Sequence, residues 1–219
     1  MSWKIGQKES PGGEKVNGKI CSLSTDSDIA VSPSPANSDV PIRYLGVDPG
    51  LNRTGYAVME RGPHRPLLRE GGVIRSTQKL SLAERVLEIG SGIREVCAQY
   101  QPQVMAIEQV FSTAQFPKTA LLMAHARGAI LYAAADFGLQ IVHYTPTQIK
   151  RLLTGSGKAQ KDQVQRAVQS ELGLDRILEP NDVADACAVA LCHYYTARVS
   201  AMARELGGSV AEKIKESKR

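Results

Sequence analysis

The sequence contains no run of about 18 uncharged apolar residues, the length that a membrane-spanning helix needs. Its longest apolar candidate, residues 129–135, is much too short. Residues 1–15 include lysines but no apolar segment after them, so a secretory signal is not predicted. The sequence therefore disfavours a membrane protein and a secreted protein, and we expect a cytoplasmic location.

The sequence is also poor in soft metal ligands. Its four cysteines, Cys21, Cys97, Cys187 and Cys192, show no CxxC spacing, and its four histidines do not cluster. Neither a zinc site nor a disulfide framework is therefore predicted. Three of the cysteines lie in apolar helical patterns, where we expect small core residues. Residues 155–158 have the sequence GSGK but lack the earlier glycine of a GxxxxGK loop, which argues against nucleoside triphosphate binding.

What is present fits one domain of ordinary size, with 219 residues of which 42% are hydrophobic. Residues 1–41 are rich in Ser, Gly, Pro and charge, and such a segment buries too little apolar surface to offset its ordering entropy. We therefore predict a disordered extension at 1–41, a folded domain at 42–199 and a charged tail at 200–219. The net charge of +5 comes from the body and tail, which is compatible with a polyanionic partner.

The chain from residue 42 onwards alternates strand and helix patterns. Strands are predicted at 43–48, 55–60, 67–75, 104–108 and 139–144. Helices are predicted at 81–100, 114–137 and 145–153, from beyond Lys161 to Leu172, and from Asn181 onwards. Ser81 followed by Glu84 is a capping box for the first helix. The order predicts an α/β fold, a mixed β-sheet with helices on both faces.

Four carboxylates stand at predicted element ends. Asp48 and Glu108 each end a buried strand, while Asp182 and Asp185 are three residues apart in the first turn of the last helix. Turn formation could explain Asp48 alone, and the helix dipole could explain either helical aspartate alone. Neither role accounts for all four, and ligands of open α/β sheets bind at such strand ends.

If the four side chains converge, protons or cations must relieve their repulsion. Hard carboxylate oxygens suit Mg²⁺ or Mn²⁺. Two such ions about 3.5–4 Å apart could clamp the attacking and leaving oxygens of a phosphodiester. The carboxylates therefore predict a two-metal nuclease whose nick has a 5′-phosphate and a 3′-hydroxyl.

Four segments occur in order between residues 43 and 196: GVDPGLNRTGYAV, AIEQVF, ARGAI and NDVADACAVA. Together they resemble the RuvC-type Holliday junction resolvases of the ribonuclease H-like nuclease superfamily. The resemblance implies a ribonuclease H-like fold and the resolution of four-way DNA junctions by two symmetric nicks, in recombination and repair. It also implies two Mg²⁺ ions per subunit, replaceable by Mn²⁺, and a catalytic metal-binding set of Asp48, Glu108, Asp182 and Asp185. Some relatives have histidine in place of Asp182.

The resemblance further implies DNA contacts and partners. Phe111, just after the AIEQV strand, is expected to stack near the junction centre, where stacking on an unpaired base contributes roughly 1–3 kcal/mol. Lys150 and Lys161 are expected to contact DNA phosphate, and Lys158 is an additional candidate nearby. The Ruv branch-migration proteins are the family's usual partners.

A homodimer is expected for two reasons. The helix at 114–137 is apolar on nearly all sides, so it needs a second surface to pack against besides its own sheet. Two nicks related by twofold symmetry also require two active sites related by the same symmetry.

Two alternatives stay open at this point. RNA-processing nucleases of the YqgF type share a similar DxG hairpin, and a non-catalytic junction-binding or actin-like nucleotide-binding module could use a related scaffold. The AIEQVF segment and the DxxDA helix favour the resolvase, and all four carboxylates are present.

In the first hairpin, Gly55 is expected to leave room for the DNA backbone to approach Asp48.

Overall fold

The computed structural model describes residues 41–109 and 117–216. Its elements occur in the predicted order. The strands are β1 (Arg43–Asp48), β2 (Arg53–Arg61), β3 (Pro66–Arg75), β4 (Val104–Glu108) and β5 (Gln140–Tyr144). The helices are α1 (Leu82–Tyr100), α2 (Pro117–Asp136), α3 (Pro146–Thr154), α4 (Lys161–Leu172) and α5 (Asn181–Glu216). Helix α5 continues through residue 200, and the boundary between domain and tail stays a prediction.

The five strands form one mixed sheet in the order β3-β2-β1-β4-β5. The first three strands are joined by antiparallel pairing, whereas β1 pairs with β4 and β4 with β5 in parallel. The carboxyl ends of β1, β4 and β5 therefore lie at one edge of the sheet. Val47 is paired with Ile107, so Asp48 and Glu108 follow directly after a matched pair of residues.

Two apolar cores cover the two faces of the sheet, as the predicted architecture requires. One core combines β1, β2 and β4 with α1 and α2 and includes Ile89, Ile130 and Cys97. The other combines the opposite face with α3, α4 and α5 and includes Cys187 and Cys192. The prediction that three of the cysteines are core residues is confirmed, since all three are buried.

Side-chain caps fix the starts of two helices. Ser81 and Glu84 form the predicted capping box of α1, in which each side chain bonds the other residue's backbone N–H. Thr145 and Gln148 form an equivalent box at α3, with Pro146 in the first turn. The second box sets the position of α3 beside the carboxyl ends of β4 and β5.

Helix α5 packs directly against the backbone of β1 and β2 because two strand positions are glycine. A Cβ atom added to Gly46 would lie 2.3 Å from the carbonyl oxygen of Ala186, and one added to Gly55 would lie 2.1 Å from that of Asp182. The interpretation of Gly55 as space for the DNA backbone is therefore wrong, because the first turn of α5 fills that space. Gly55 instead brings Asp182 close to the sheet.

Within the ranges described, none of the helices is both long and apolar enough to span a bilayer.

Candidate functional site

The alternation of side chains along β1 and β4 places Asp48 and Glu108 on the same face of the sheet. Tyr44 and Val104 contribute to the core beneath α5, and residues at even spacing from them point the same way. Asp48 and Glu108 lie four residues further along their strands, at the point where both strands end. Both carboxylates are therefore directed towards the first turn of α5.

A cavity of about 290 Å³ opens at this edge of the sheet. Three of the four predicted carboxylates line it, together with two of the predicted lysines: Asp48, Glu108, Asp185, Lys150 and Lys161. Its apolar wall is formed by Pro146, Ile149, Val164 and Ala188. Two strands and three helices thus supply one acidic site with an apolar wall.

The crowding of carboxylates changes their protonation. Burial, followed by the charges of Glu108, Asp185 and Asp182, raises the pKa of Asp48 to about 7. Burial and the charge of Asp185 likewise raise the pKa of Glu108 to about 7. Burial and mutual repulsion therefore both disfavour the charged forms of these two carboxylates.

Two lysines partly compensate this charge. The Nζ atom of Lys161 lies 2.7 Å from Oδ2 of Asp185. That hydrogen bond raises the pKa of Lys161, and the charges of Asp48 and Asp182 act in the same direction. Lys150 is half-buried, and its charge lowers the pKa of Glu108. Lys161 is the first residue of α4 rather than a loop residue, so the helix fixes its backbone.

Asp182 differs from the other three carboxylates. It does not line the cavity, and its Oδ2 atom lies 2.5 Å from Nη2 of Arg53. In residues 41–109 and 117–216, no three acidic, histidine or cysteine side chains are grouped closely enough to ligate one ion. The carboxylates provide the oxygen donors and the negative charge that Mg²⁺ or Mn²⁺ requires. Two of them are already in ion pairs, Asp185 with Lys161 and Asp182 with Arg53.

Two arginines at the site were missed by sequence reasoning. Arg53 lies in the hairpin segment and Arg127 in the ARGAI segment, and neither is among the predicted site residues. The Nη2 atom of Arg127 donates to Nδ1 of His143 at 2.7 Å, and its Nε donates to the carbonyl oxygen of Glu108 at 3.4 Å. Arg127 thus ties α2 to the ends of β4 and β5. For Arg127, the sequence signal is a single arginine in the middle of a mostly apolar helix.

The structure does not place two of the predicted DNA-contact residues, Phe111 and Lys158, at the cavity. Phe111 lies outside the described residues. Lys158 is exposed in the loop between α3 and α4 and is absent from the cavity lining that includes Lys150 and Lys161. The DNA-contact roles of all three lysines stay predictions.

Comparison with known proteins agrees with the family resemblance seen in the sequence. The family model described as crossover junction endodeoxyribonuclease RuvC matches residues 44–193, more than half of the chain. The enzyme of that name from Rhodopirellula baltica is 51% identical over 153 residues, covering 70% of this chain and 86% of the relative. The enzyme of the same name from Geobacter sp. strain M21 is 38% identical over 158 residues, covering 72% of this chain and 95% of the relative.

Solved structures agree. The structure described as Thermus thermophilus RuvC in complex with a Holliday junction substrate superposes with a TM-score of 0.68 at 33% identity, covering 73% of this chain and 96% of that one. The predicted ribonuclease H-like fold is confirmed, and the RNA-processing alternative is not favoured. The chain belongs to the RuvC family of crossover junction endodeoxyribonucleases.

Proposed function

We propose that this protein resolves four-way DNA junctions by two symmetric nicks, in homologous recombination and DNA repair. The observation that carries the proposal is the convergence of Asp48, Glu108, Asp185, Lys150 and Lys161 on one cavity at the strand ends. Acids that can hold divalent cations lie there beside lysines that can hold phosphate, as cleavage of a phosphodiester requires. Family membership and the junction complex of the Thermus relative support this choice of substrate.

The catalytic set is Asp48, Glu108, Asp185 and Asp182. These residues would hold Mg²⁺, two ions per subunit, with Mn²⁺ able to substitute because it accepts the same oxygen ligands. The chemistry that the bound ions supply is activation of water and stabilisation of the departing 3′-oxygen. Asp48 and Glu108 end strands of the rigid sheet, so their backbones are held in place, and Lys150 and Lys161 orient the phosphate against them.

A homodimer supplies the second nick. Helix α2 exposes large apolar side chains that the described residues leave uncovered, with Leu121 63% exposed and Tyr132 70% exposed. Leu87 of the adjacent α1 is 67% exposed. Such a surface fits a twofold interface that places two sites on opposed strands.

The dimer has a direct test. Light scattering at micromolar concentration should give twice the mass of one chain. Replacing Leu121 by Lys should shift the protein towards monomer, because it places a charge in the apolar contact. A clean monomer that still cuts junctions in paired nicks would contradict this arrangement.

The activity is tested with a synthetic mobile four-way junction in Mg²⁺. Asp48→Asn should reduce cleavage by about 10³-fold or more, since ligand loss removes several kcal/mol of transition-state stabilisation, while junction affinity is retained. Glu60→Gln, which alters a carboxylate at the far end of β2, is the matched control and should cleave within about 2-fold of wild type. Undiminished cleavage by Asp48→Asn would refute the assignment.

A junction substrate also sets expectations for location and partners. The protein is expected to work in the cytoplasm, where chromosomal DNA is processed, with the Ruv branch-migration proteins as partners. Co-purification of those proteins with the junction-bound enzyme tests the second expectation.

A further inference from the structure

Arg53 owes its position beside the acidic site to strand geometry. It is the first residue of β2 and lies two residues before Gly55, so both residues face α5. Because Gly55 lets the backbone of Asp182 come into contact with β2, the side chain of Arg53 can reach the carboxylate of Asp182. The contact between Arg53 and Asp182 is therefore a consequence of how closely α5 packs on the hairpin.

The two aspartates of α5 are held by different cations. Asp185 faces the cavity and pairs with Lys161, which itself lines the cavity. Asp182, one turn earlier, pairs with Arg53, which does not line it. The guanidinium thus neutralises the one predicted ligand that lies at the margin of the site.

The ion pair between Arg53 and Asp182 can separate with little loss of free energy. The side chain of Arg53 is 39% exposed and that of Asp182 is 25% exposed, so water can solvate both groups when they separate. Exposed pairs of this kind contribute little to stability. A divalent ion, with twice the charge of a guanidinium, is a stronger partner for the same oxygen.

We propose that Arg53 is a positioning residue that competes with the divalent metal for Asp182 and thereby lowers the metal affinity of the site. The inference rests on the proposed function, because it takes the carboxylates to be metal ligands. Loss of the guanidinium removes the ion-pair partner of Asp182 and leaves its carboxylate free to bind a metal ion.

Arg75 is a matched control for the charge itself. It lies directly opposite Arg53 in the β2–β3 register, is exposed, and forms no ion pair with any side chain that the structure describes. Arg75→Gln therefore removes the same charge at nearly the same place but leaves the contact between Arg53 and Asp182 intact. Any difference between the two variants reports the direct contact.

The experiment is calorimetric titration of Mn²⁺ into the full-length protein without DNA. Arg53→Gln should bind Mn²⁺ about 3- to 10-fold more tightly than Arg75→Gln, and Arg53→Lys should stay within about 2-fold of wild type. In an Asp182→Asn background, Arg53→Gln should have no effect beyond that of Arg75→Gln. Thermal unfolding of each variant checks the fold, and Arg53→Met serves as a second neutral variant if Arg53→Gln is unfolded.

The outcomes separate the two proposals. Equal Mn²⁺ affinity of Arg53→Gln and Arg75→Gln, or weaker binding by Arg53→Gln, overturns the role of Arg53 and leaves the proposed function standing. Absence of Mn²⁺ binding by the wild-type protein overturns both.

Discussion

Two groups of charged side chains lie at opposite ends of the β1–β2 pair, and they shift the pKa of their carboxylates in opposite directions. At one end, Glu60 faces Arg43 in the register and is 5% exposed. Hydrogen bonds from Arg69, which has the larger effect, and from Arg43 hold the pKa of Glu60 below its usual value. At the other end, burial and neighbouring carboxylates raise the pKa of Asp48.

Burial of Asp48 and the number of cations near each carboxylate together explain the difference. One carboxylate with two arginines forms a self-sufficient structural cluster at the Glu60 end. At the Asp48 end, the part of the chain that the structure describes places three cations near the four acids: Arg53, Lys150 and Lys161. An acidic residue of this sheet is therefore stabilising in one cluster and destabilising in the other, as expected where a site is arranged for function.

The largest expected effect that separates the two clusters is on stability without metal. In EDTA at pH 8, Asp48→Asn should raise the free energy of unfolding by about 1–3 kcal/mol, because it removes a buried charge held among like charges. Glu60→Gln should lower it by about 1–2 kcal/mol, because both arginines lose a charged acceptor. Thermal melts should show Tm shifts of opposite sign, about 2–4 °C per kcal/mol for a chain of this size.

The signs follow from proton binding. Asp48 has an ordinary pKa of 3.8 and a folded-state pKa of about 7, so the folded protein binds the extra proton between these values. Stability therefore falls as pH rises through this window, and the gain from Asp48→Asn should largely vanish near pH 4. Glu60 has a lowered pKa, so its contribution is present above its ordinary value of 4.5 and is lost as pH falls below it. Tm shifts of equal sign at pH 8 would contradict the comparison.

Much of the fold was predictable because apolar periodicity is a local signal. The five strands and five helices occur in the predicted order. Strand β2 begins at Arg53 instead of residue 55, because the ladder extends through the polar pair Arg53 and Arg75. Hydrophobic patterning cannot register that extension, since neither residue contributes to the core.

The site was predictable only in part. The strand ends at Asp48 and Glu108 follow from sequence pattern, whereas the parallel pairing of β1 with β4 that brings them together is given by the structure. The i, i+3 spacing correctly places Asp182 and Asp185 in one turn, but it cannot say which of them faces the cavity. That depends on the contact of α5 with Gly55, which no local pattern encodes.

The smallest expected effect concerns the cations of the acidic end. Lys161→Ala should weaken junction affinity by about 5- to 10-fold and reduce the slope of log affinity against log salt by about 1, because one phosphate contact is lost. Lys158→Ala removes the same charge outside the cavity and should change affinity by about 2-fold or less. Arg69→Ala, at the Glu60 end, should leave both quantities unchanged. Fluorescence anisotropy with a labelled junction in Ca²⁺, measured at several salt concentrations, distinguishes the three. Equal effects of Lys161→Ala and Lys158→Ala would mean that lysine charge in this region acts without specific phosphate contact.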